Sequence, residues 1–372
     1  MAKIGLEHIT KRFGNVVAVN DLTVEIHDGE FFFLLGPSGC GKTTTLRVIA
    51  GLDRSDEGAI FIDGRQVNHL QPADRDIAFV FQFYALYPHL TAYDNIAFPL
   101  KAVKVPKPEI QSRVGEVAAT LQIEHLLNRK PGNLSGGEMQ RVALGRAMVR
   151  RPRAFLMDEP MANLDAKLRV DTRSELKHLQ REIGTTTVFV THDQVEAMSM
   201  ADRIAVMHEG VLQQLGAPQE VYNQPKSLFV AEFMGSPSMN LIDGEIQSQA
   251  GEFILRLTHT DIGLPISGKQ MARVQCEAAN NKLVFGVRPE HIVVSKEPIN
   301  GRIQALVHLV ESLGSANIVD TFLGENPDTG NLIILRARTH PAFPVATGQS
   351  VWLDFDEKHT HLFDRNTGKA IR

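Results

Sequence analysis

The stretch GPSGCGKT, Gly36 to Thr43, constrains this chain more than any other. It follows the apolar run FFFLL (31 to 35) directly and opens into TTTLRVIAG, so the pattern G-x-x-x-x-G-K-[ST] sits between a strand and a helix. The chemistry depends on that placement. The glycines let successive backbone N–H groups curl around the β- and γ-phosphates of a nucleotide. Lys42 adds a point charge, Thr43 offers its hydroxyl to Mg²⁺, and the helix that follows presents its positive end.

At 372 residues the chain is long enough for two domains, at roughly 100 to 200 residues each. Its 39 basic and 43 acidic residues leave a net charge of -4, which gives no overall electrostatic case for nucleic acid or an anionic membrane. Cys40 and Cys276 lie far apart and outside any metal-ligand spacing, so neither a disulfide scaffold nor a zinc site is expected, and a reducing cytoplasm fits best. The start MAKIGLEHITKRFG has polar groups where a signal peptide needs an apolar core. No later run approaches the ~20 apolar residues that cross a bilayer, so a soluble chain is expected, with a membrane partner left open.

Up to about residue 235, short β-rich runs alternate with amphipathic helical stretches, as in an α/β domain with a largely parallel sheet. FFFLL, DIAFVF (76 to 81), AFLMD (154 to 158) and TTVFVT (186 to 191) are its expected buried strands. The segment from about 90 to 150 is mostly helical in pattern and broken by Pro106, Pro108 and Pro131, which predicts a helical subdomain inserted in the sheet. After Asp165, Leu168, Thr172, Leu176, Leu179 and Ile183 recur every three or four residues, giving a helix with one apolar face. Beyond GSPSMN (235 to 240) the pattern turns to short alternating runs, RIQALVHLV, NLIILRAR and SVWLDFD, with no long helical pattern left. A second, all-β domain is therefore expected at 236–372, built as small barrels of the oligonucleotide/oligosaccharide-binding (OB) type.

Four further features carry chemistry. AFLMDEP ends a buried strand in two carboxylates, at the edge where open α/β sheets bind ligands. Asp158 suits Mg²⁺ through its water shell, and Glu159 suits an attacking water beside the γ-phosphate. Gln82 closes DIAFVFQ and His192 closes TTVFVTHD, placing both at that same edge, although a lone histidine after a strand is more often a loop residue. Phe13, in KRFGN, offers a flat apolar face for an adenine ring, with core packing as the alternative. LSGGEMQR (134 to 141) has two readings: a helix start capped by Ser135, with Gly136 and Gly137 easing the turn, or an anion site without a lysine.

The ordered set GPSGCGKT, Gln82, LSGGEMQR, LMDEP, NLD (163 to 165) and THD (191 to 193) resembles the nucleotide-binding subunits of ATP-binding cassette (ABC) transporters. FYALYPHLTAYDNIAFPL, EVYNQPKSLFVAEFMGSPSMN and FGVRPEHI look more narrowly like the ATPase subunits of carbohydrate importers of the maltose and glycerol-phosphate type. The resemblance implies a P-loop NTPase cassette followed by a regulatory C-terminal domain. It implies that Phe13 stacks on adenine and that Gly36, Pro37, Ser38, Gly39, Cys40, Gly41, Lys42, Thr43 and Thr44 surround the phosphates of ATP. Thr43, Gln82 and Asp158 would serve Mg²⁺, Glu159 would be the general base, and His192 would hold the γ-phosphate and the water in register. Ser135, Gly136 and Gly137 would bind the γ-phosphate of ATP held by a second copy, so that a homodimer sandwiches two ATP molecules, and Asp165 would be a further nucleotide-binding residue.

It further implies a peripheral place on the cytoplasmic face of the membrane. The segment around 83 to 98 would receive a cytoplasmic helix of integral permease subunits, which in turn work with a solute-binding protein, and a regulatory protein would dock on the C-terminal domain. Three positions depart from the family pattern: Glu138 stands for a glutamine, Ala162 for a serine that commonly precedes NLD, and Phe13 for a frequent tyrosine. The alternatives are an importer of another solute class, a soluble ABC ATPase acting on nucleic acid or ribosomes, and a C-terminal module whose ligand or protein binding is the main activity.

Overall fold

The computed structural model describes residues 2–249, 252–258, 260, 262–278, 280–298, 302–323 and 333–372. The chain divides into two compact units, Met1–Glu220 and Val221–Arg372.

Strand Phe31–Leu35 is buried along its whole length because it is central. It pairs in parallel with Thr186–Thr191 on one side and Arg203–His208 on the other. Ala154–Asp158 and then Ile77–Val80 extend the sheet in parallel, and Val211–Gly216 closes the opposite edge antiparallel, giving six strands. Both faces are covered, which is why these strands are apolar throughout rather than alternating.

On one face Phe32, Leu34, Val188 and Val190 pack with Leu46 and Ile49 of helix Lys42–Ala50, and with Ile4 and Leu22 of a second, antiparallel sheet. That sheet runs in the order Val16–Ile26, Ile4–Phe13, Glu57–Ile62, Arg65–Gln66. Helix Lys42–Ala50 thus shares one core with both sheets. On the other face the rings of Phe33 and Phe189 stack with centroids 4.6 Å apart, and Leu176, Leu179 and Ile183 of helix Ala166–Ile183 close over Phe31 and Phe155.

The helical insertion contains Ala92–Ala102, Lys107–Thr120 and Gly136–Met148. Thr91 caps the first of these by accepting from the Asp94 N–H, and the fully buried Asn95 amide donates to the carbonyls of Tyr87, Leu90 and Thr91, holding the preceding loop to the helix. A Cβ on Gly145 would lie 3.2 Å from atoms of Ile96, Leu121 and Val117, so glycine permits the close approach of the three helices. No helix among the described residues is long and apolar enough to cross a membrane.

The second unit is built on two antiparallel sheets. One follows the order Gly263–Pro265, Glu252–Leu257, Asn240–Gln249, Lys282–Val287, Thr360–Asp364, Ala370–Ile371; the other follows Ile292–Ser295, Ser350–Phe355, Ile303–Ser312, Asn317–Leu323, Ile333–Thr339. Their inner residues, among them Leu255, Leu283, Val307, Leu335 and Leu353, form one core. RIQALVHLV, NLIILRAR and SVWLDFD each contribute a strand, with Asn331 and Leu332 outside the described residues. The sequence shows no long helical pattern here, yet the structure has a ten-residue helix, Gly268–Glu277, started by a reciprocal capping box between Ser267 and Gln270.

The short helices Pro218–Asn223 and Leu228–Phe233 precede the change in sequence pattern at 236. From Val221 on, the chain belongs to the second unit: the Arg288 guanidinium donates to the carbonyls of Tyr222 and Met234, and the Leu228 N–H donates to Gly368 O at 2.8 Å.

Candidate functional site

Four of the five parallel strands lead at their C-terminal ends, on one side of the sheet, to a candidate site residue. Phe31–Leu35 leads into Gly36, Ala154–Asp158 into Glu159, Thr186–Thr191 into His192, and Ile77–Val80 reaches Gln82 two residues later. Parallel pairing therefore gathers residues more than a hundred positions apart in sequence.

The loop from Gly36 to Gly41 is shaped by lack of room. A Cβ on Gly36 would lie 2.3 Å from Met207 O; one on Gly41 would lie 2.3 Å from Ala18 O, and Gly41 has φ +100°. Lys42 is only 4% exposed, and its ammonium donates to the carbonyls of Gly36 and Pro37 at 2.8 Å each, which pulls the loop into a closed curl. Cys40 is buried beneath the curl, and burial raises its thiol above the usual range, while Ser38 and Gly39 are exposed on it. Because Gly41 caps helix Lys42–Ala50 with no side chain, the first-turn N–H groups, Thr44 among them, are left for an anion.

Thr43 Oγ1 donates to Asp158 Oδ1 at 2.8 Å. Burial raises the Asp158 carboxyl, an effect opposed by the Thr43 hydrogen bond and by the Lys42 and Arg47 charges. A hydroxyl and a carboxylate side by side are hard oxygen donors of the kind that Mg²⁺ takes while keeping water and phosphate oxygens for its other positions. Among the described residues there is no cluster of three or more His, Cys, Asp or Glu that could hold a metal ion.

Glu159 has a left-handed backbone, φ 43°, stabilised as its N–H donates to Val190 O at 3.0 Å. Such a conformation costs a residue with a Cβ roughly 1–2 kcal/mol. Its carboxylate Oε2 meets His192 Nδ1 at 3.1 Å, so the two candidate reacting groups are in contact. A small cavity beside them is lined by Glu159, Ala162, Arg169, Thr191, His192, Asp193 and Glu196.

Gln82 is bound through its backbone, its carbonyl accepting from Asn163 Nδ2 at 2.9 Å. Phe13 ends its strand in a hairpin at Gly14 and is 50% exposed, with the Lys11 ammonium 5.1 Å from the ring centre, so its face is not consumed by the core.

Ser135 N-caps helix Gly136–Met148: it accepts from the Glu138 N–H at 3.4 Å while Glu138 Oε2 accepts from the Ser135 N–H at 2.7 Å. That bond holds the Glu138 carboxyl below the usual range, and a glutamine there would also accept. Cβ atoms on Gly136 and Gly137 would lie 3.2 Å from Leu164 and 3.3 Å from Leu168, so small residues let the helix start approach the NLD turn. The helix-start reading of LSGGEMQR thus has direct geometric support, and it does not compete with an anion site, since a capped helix end still presents its positive pole. Asp165 caps Ala166–Ile183, accepting from the Leu168 N–H at 2.9 Å.

Sequence reasoning did not single out Asn163, Arg169, Thr191 or Glu196 as site residues. Asn163 lay inside the quoted NLD and Thr191 inside the quoted THD; Arg169 and Glu196 lay outside the quoted motifs, and only the folded arrangement brings Arg169 and Glu196 into one cavity with His192.

Comparison with known proteins adds the family. The ABC transporter family model matches residues 19–162, the MalK OB fold domain 235–292, and the TOBE domain 285–363. The trehalose/maltose import ATP-binding protein MalK of Thermococcus litoralis is 50% identical over the full length of both chains. The sn-glycerol-3-phosphate import ATP-binding protein UgpC of Psychromonas ingrahamii is 45% identical over all of this chain and 96% of its own. The osmoprotective compounds uptake protein GgtA of Synechocystis is 47% identical over all of both. Among solved structures, the dimeric post-hydrolysis state of the ATP-binding cassette MJ0796 bound to ADP and Pi is 35% identical, with a TM-score of 0.52, over 58% of this chain and 98% of that one. The chain belongs to the ABC transporter family, as an ATP-binding, ATP-hydrolysing import subunit of the MalK and UgpC type.

Proposed function

We propose that two copies of this chain sandwich two ATP molecules at the cytoplasmic face of a membrane and use their hydrolysis to drive uptake of a sugar or related polyol through integral permease subunits. Relatives named for trehalose/maltose, sn-glycerol-3-phosphate and osmoprotective compounds support that substrate class, and the dimeric MJ0796 cassette supports the sandwich. A solute-binding protein delivering the solute to the permease, and a regulator docking on the C-terminal unit, complete the assembly.

Within each composite site, Phe13 stacks on adenine, and Gly36, Pro37, Ser38, Gly39, Cys40, Gly41, Lys42 and Thr44 enclose the phosphates. Thr43, Asp158 and Gln82 would hold Mg²⁺, which when bound neutralises charge between the phosphate oxygens. Glu159 accepts the proton of the attacking water. His192, fixed through Nδ1 on Glu159, turns its other ring nitrogen to the γ-phosphate. Ser135, Gly136, Gly137 and Asp165 of one copy complete the site of the other. The chain supplies position, charge and one base.

The observation that carries this reading is the 3.1 Å contact between Glu159 and His192 on the same sheet edge as the Lys42 loop. Glu159→Gln is expected to bind ATP with unchanged affinity and to lose hydrolysis by roughly 10²- to 10⁴-fold. Near-normal turnover in that variant removes Glu159 from the role of base.

A further inference from the structure

His192 is exposed on the rim, with 55% of its side chain accessible, so its position depends on the turn that carries it. Both flanking residues are pinned. Thr191 Oγ1 donates to Glu196 Oε2 at 2.7 Å and accepts from the Asp193 N–H at 2.9 Å. Asp193 Oδ1 accepts from the N–H groups of Val195 and Glu196 at 2.7 and 3.2 Å. Glu196 is itself 4% exposed, in a pocket where Arg169, Arg173 and Asp193 are the neighbouring charges.

Arg169, in the first turns of helix Ala166–Ile183, bridges this turn to another. Its Nη2 donates to Leu164 O at 3.1 Å, and its Nη1 lies 3.8 Å from Asp193 Oδ2, while its Nε is buried without a hydrogen-bond partner. It also lines the cavity that Glu159 and His192 share. The 163–165 turn that Arg169 grips reaches the Gln82 segment on its other side, through Asn163 Nδ2 and Gln82 O at 2.9 Å. One short turn is therefore tied to the carriers of two candidate site residues.

We infer that Arg169 is a positioning residue for ATP hydrolysis: it couples the 163–165 turn to the His192 turn, so that displacement of the first is relayed to the imidazole. The inference rests on the role of His192 in the proposed function. A half-buried guanidinium with its Nε enclosed suits the task because its rigid fork reaches a carbonyl and a carboxylate at once. Arg169 touches neither nucleotide nor water in this scheme and acts only through His192.

The test measures ATPase kinetics of the full chain for Arg169→Gln, Arg169→Lys, His192→Ala and the double variant Arg169→Gln/His192→Ala. Arg169→Gln is expected to lower kcat roughly ten- to hundred-fold, the scale of a small misplacement near the chemistry. KM for ATP should stay within about two-fold, since ground-state binding is untouched. Arg169→Lys keeps the charge and one donor and is expected to fall between; it carries the test if the glutamine variant folds poorly. In the His192→Ala background, Arg169→Gln should cost nothing further, because the group it positions is gone. A wild-type kcat in Arg169→Gln, a raised KM with unchanged kcat, or a full additional loss in the double variant overturns the inference. Full turnover in His192→Ala instead defeats the assignment of His192 itself, and so separates the two failures.

Discussion

Gly39 and Gly41 stand two residues apart in GPSGCGKT, and the motif does not distinguish them. Both have left-handed backbones, φ +79° and +100°, yet a Cβ on Gly39 meets nothing within 4 Å whereas one on Gly41 lands 2.3 Å from Ala18 O. Gly39→Ala therefore carries only backbone strain, about 1–3 kcal/mol, partly relieved because the loop surface is open. Gly41→Ala adds a clash with the backbone of the neighbouring sheet, which has no flexible side chain to give way. Titration with a fluorescent ATP analogue is expected to show a loss of roughly ten-fold or more for Gly41→Ala, converting a few kcal/mol of strain into affinity, and a clearly smaller loss for Gly39→Ala. Equal losses in the two variants would mean that the approach to Ala18 is unimportant. At this scale the residue types of the site were legible, since Lys42, Thr43, Asp158, Glu159 and His192 each end a strand or begin a helix. The bonds among them were not. Thr43 to Asp158 and His192 to Glu159 join positions far apart in sequence, and only parallel strand pairing decides which of them meet.

Helix Gly136–Met148 shows how one element holds two readings at once. Its capping box satisfies the N–H groups of Ser135 and Glu138 inside the chain, and the glycines fit against Leu164 and Leu168, so LSGGEMQR has a sufficient local explanation. A role in binding ATP from a second copy makes a different demand, and the two separate at Ser135. Aspartate caps a helix as well as serine does, whereas alanine costs about 1 kcal/mol. A carboxylate facing a γ-phosphate, however, repels it. Ser135→Asp is expected to keep the thermal unfolding midpoint of the parent while its ATPase turnover falls at least about ten-fold, the equivalent of ~1.4 kcal/mol. Parental turnover in Ser135→Asp would leave Ser135 as a cap and nothing more. Elements bounded by motifs were legible from sequence: Phe31–Leu35, Ala154–Asp158 and Thr186–Thr191 fall where the apolar runs place them. Gly268–Glu277 was hidden because it is a single ten-residue helix set among short strands, marked by the Ser267-x-x-Gln270 cap and by Met271 and Val274 at a spacing of three.

For the molecule as a whole, sequence pattern located the shift from α/β to β near 236, whereas compactness places it at Val221, because Arg288 anchors the carbonyls of Tyr222 and Met234. That arginine, fully buried and 3.6 Å above the Tyr222 ring, brings a permanent positive charge into the second unit. His361, on strand Thr360–Asp364, feels the consequence. Burial, followed by the charges of Arg288, His291, Arg372 and His359, pushes its pKa down from 6.5 to about 4. The unfolded chain therefore binds a proton that the folded unit refuses. Stability is complete above the unfolded value near 6.5 and declines as pH falls from there through about 4, where the folded group finally accepts its proton. Trp352, the single tryptophan, lies in strand Ser350–Phe355 and reports on this unit alone. Urea unfolding of the full chain followed by Trp352 fluorescence is expected to show a midpoint that drops between pH 7 and 5. His361→Gln should flatten that dependence, since an amide carries no proton to be refused. An unaltered pH slope in the glutamine variant would assign the acid sensitivity to other groups, His291 first, because its own pKa is lowered by burial and by His359, with which it stacks at 4.1 Å between ring centres.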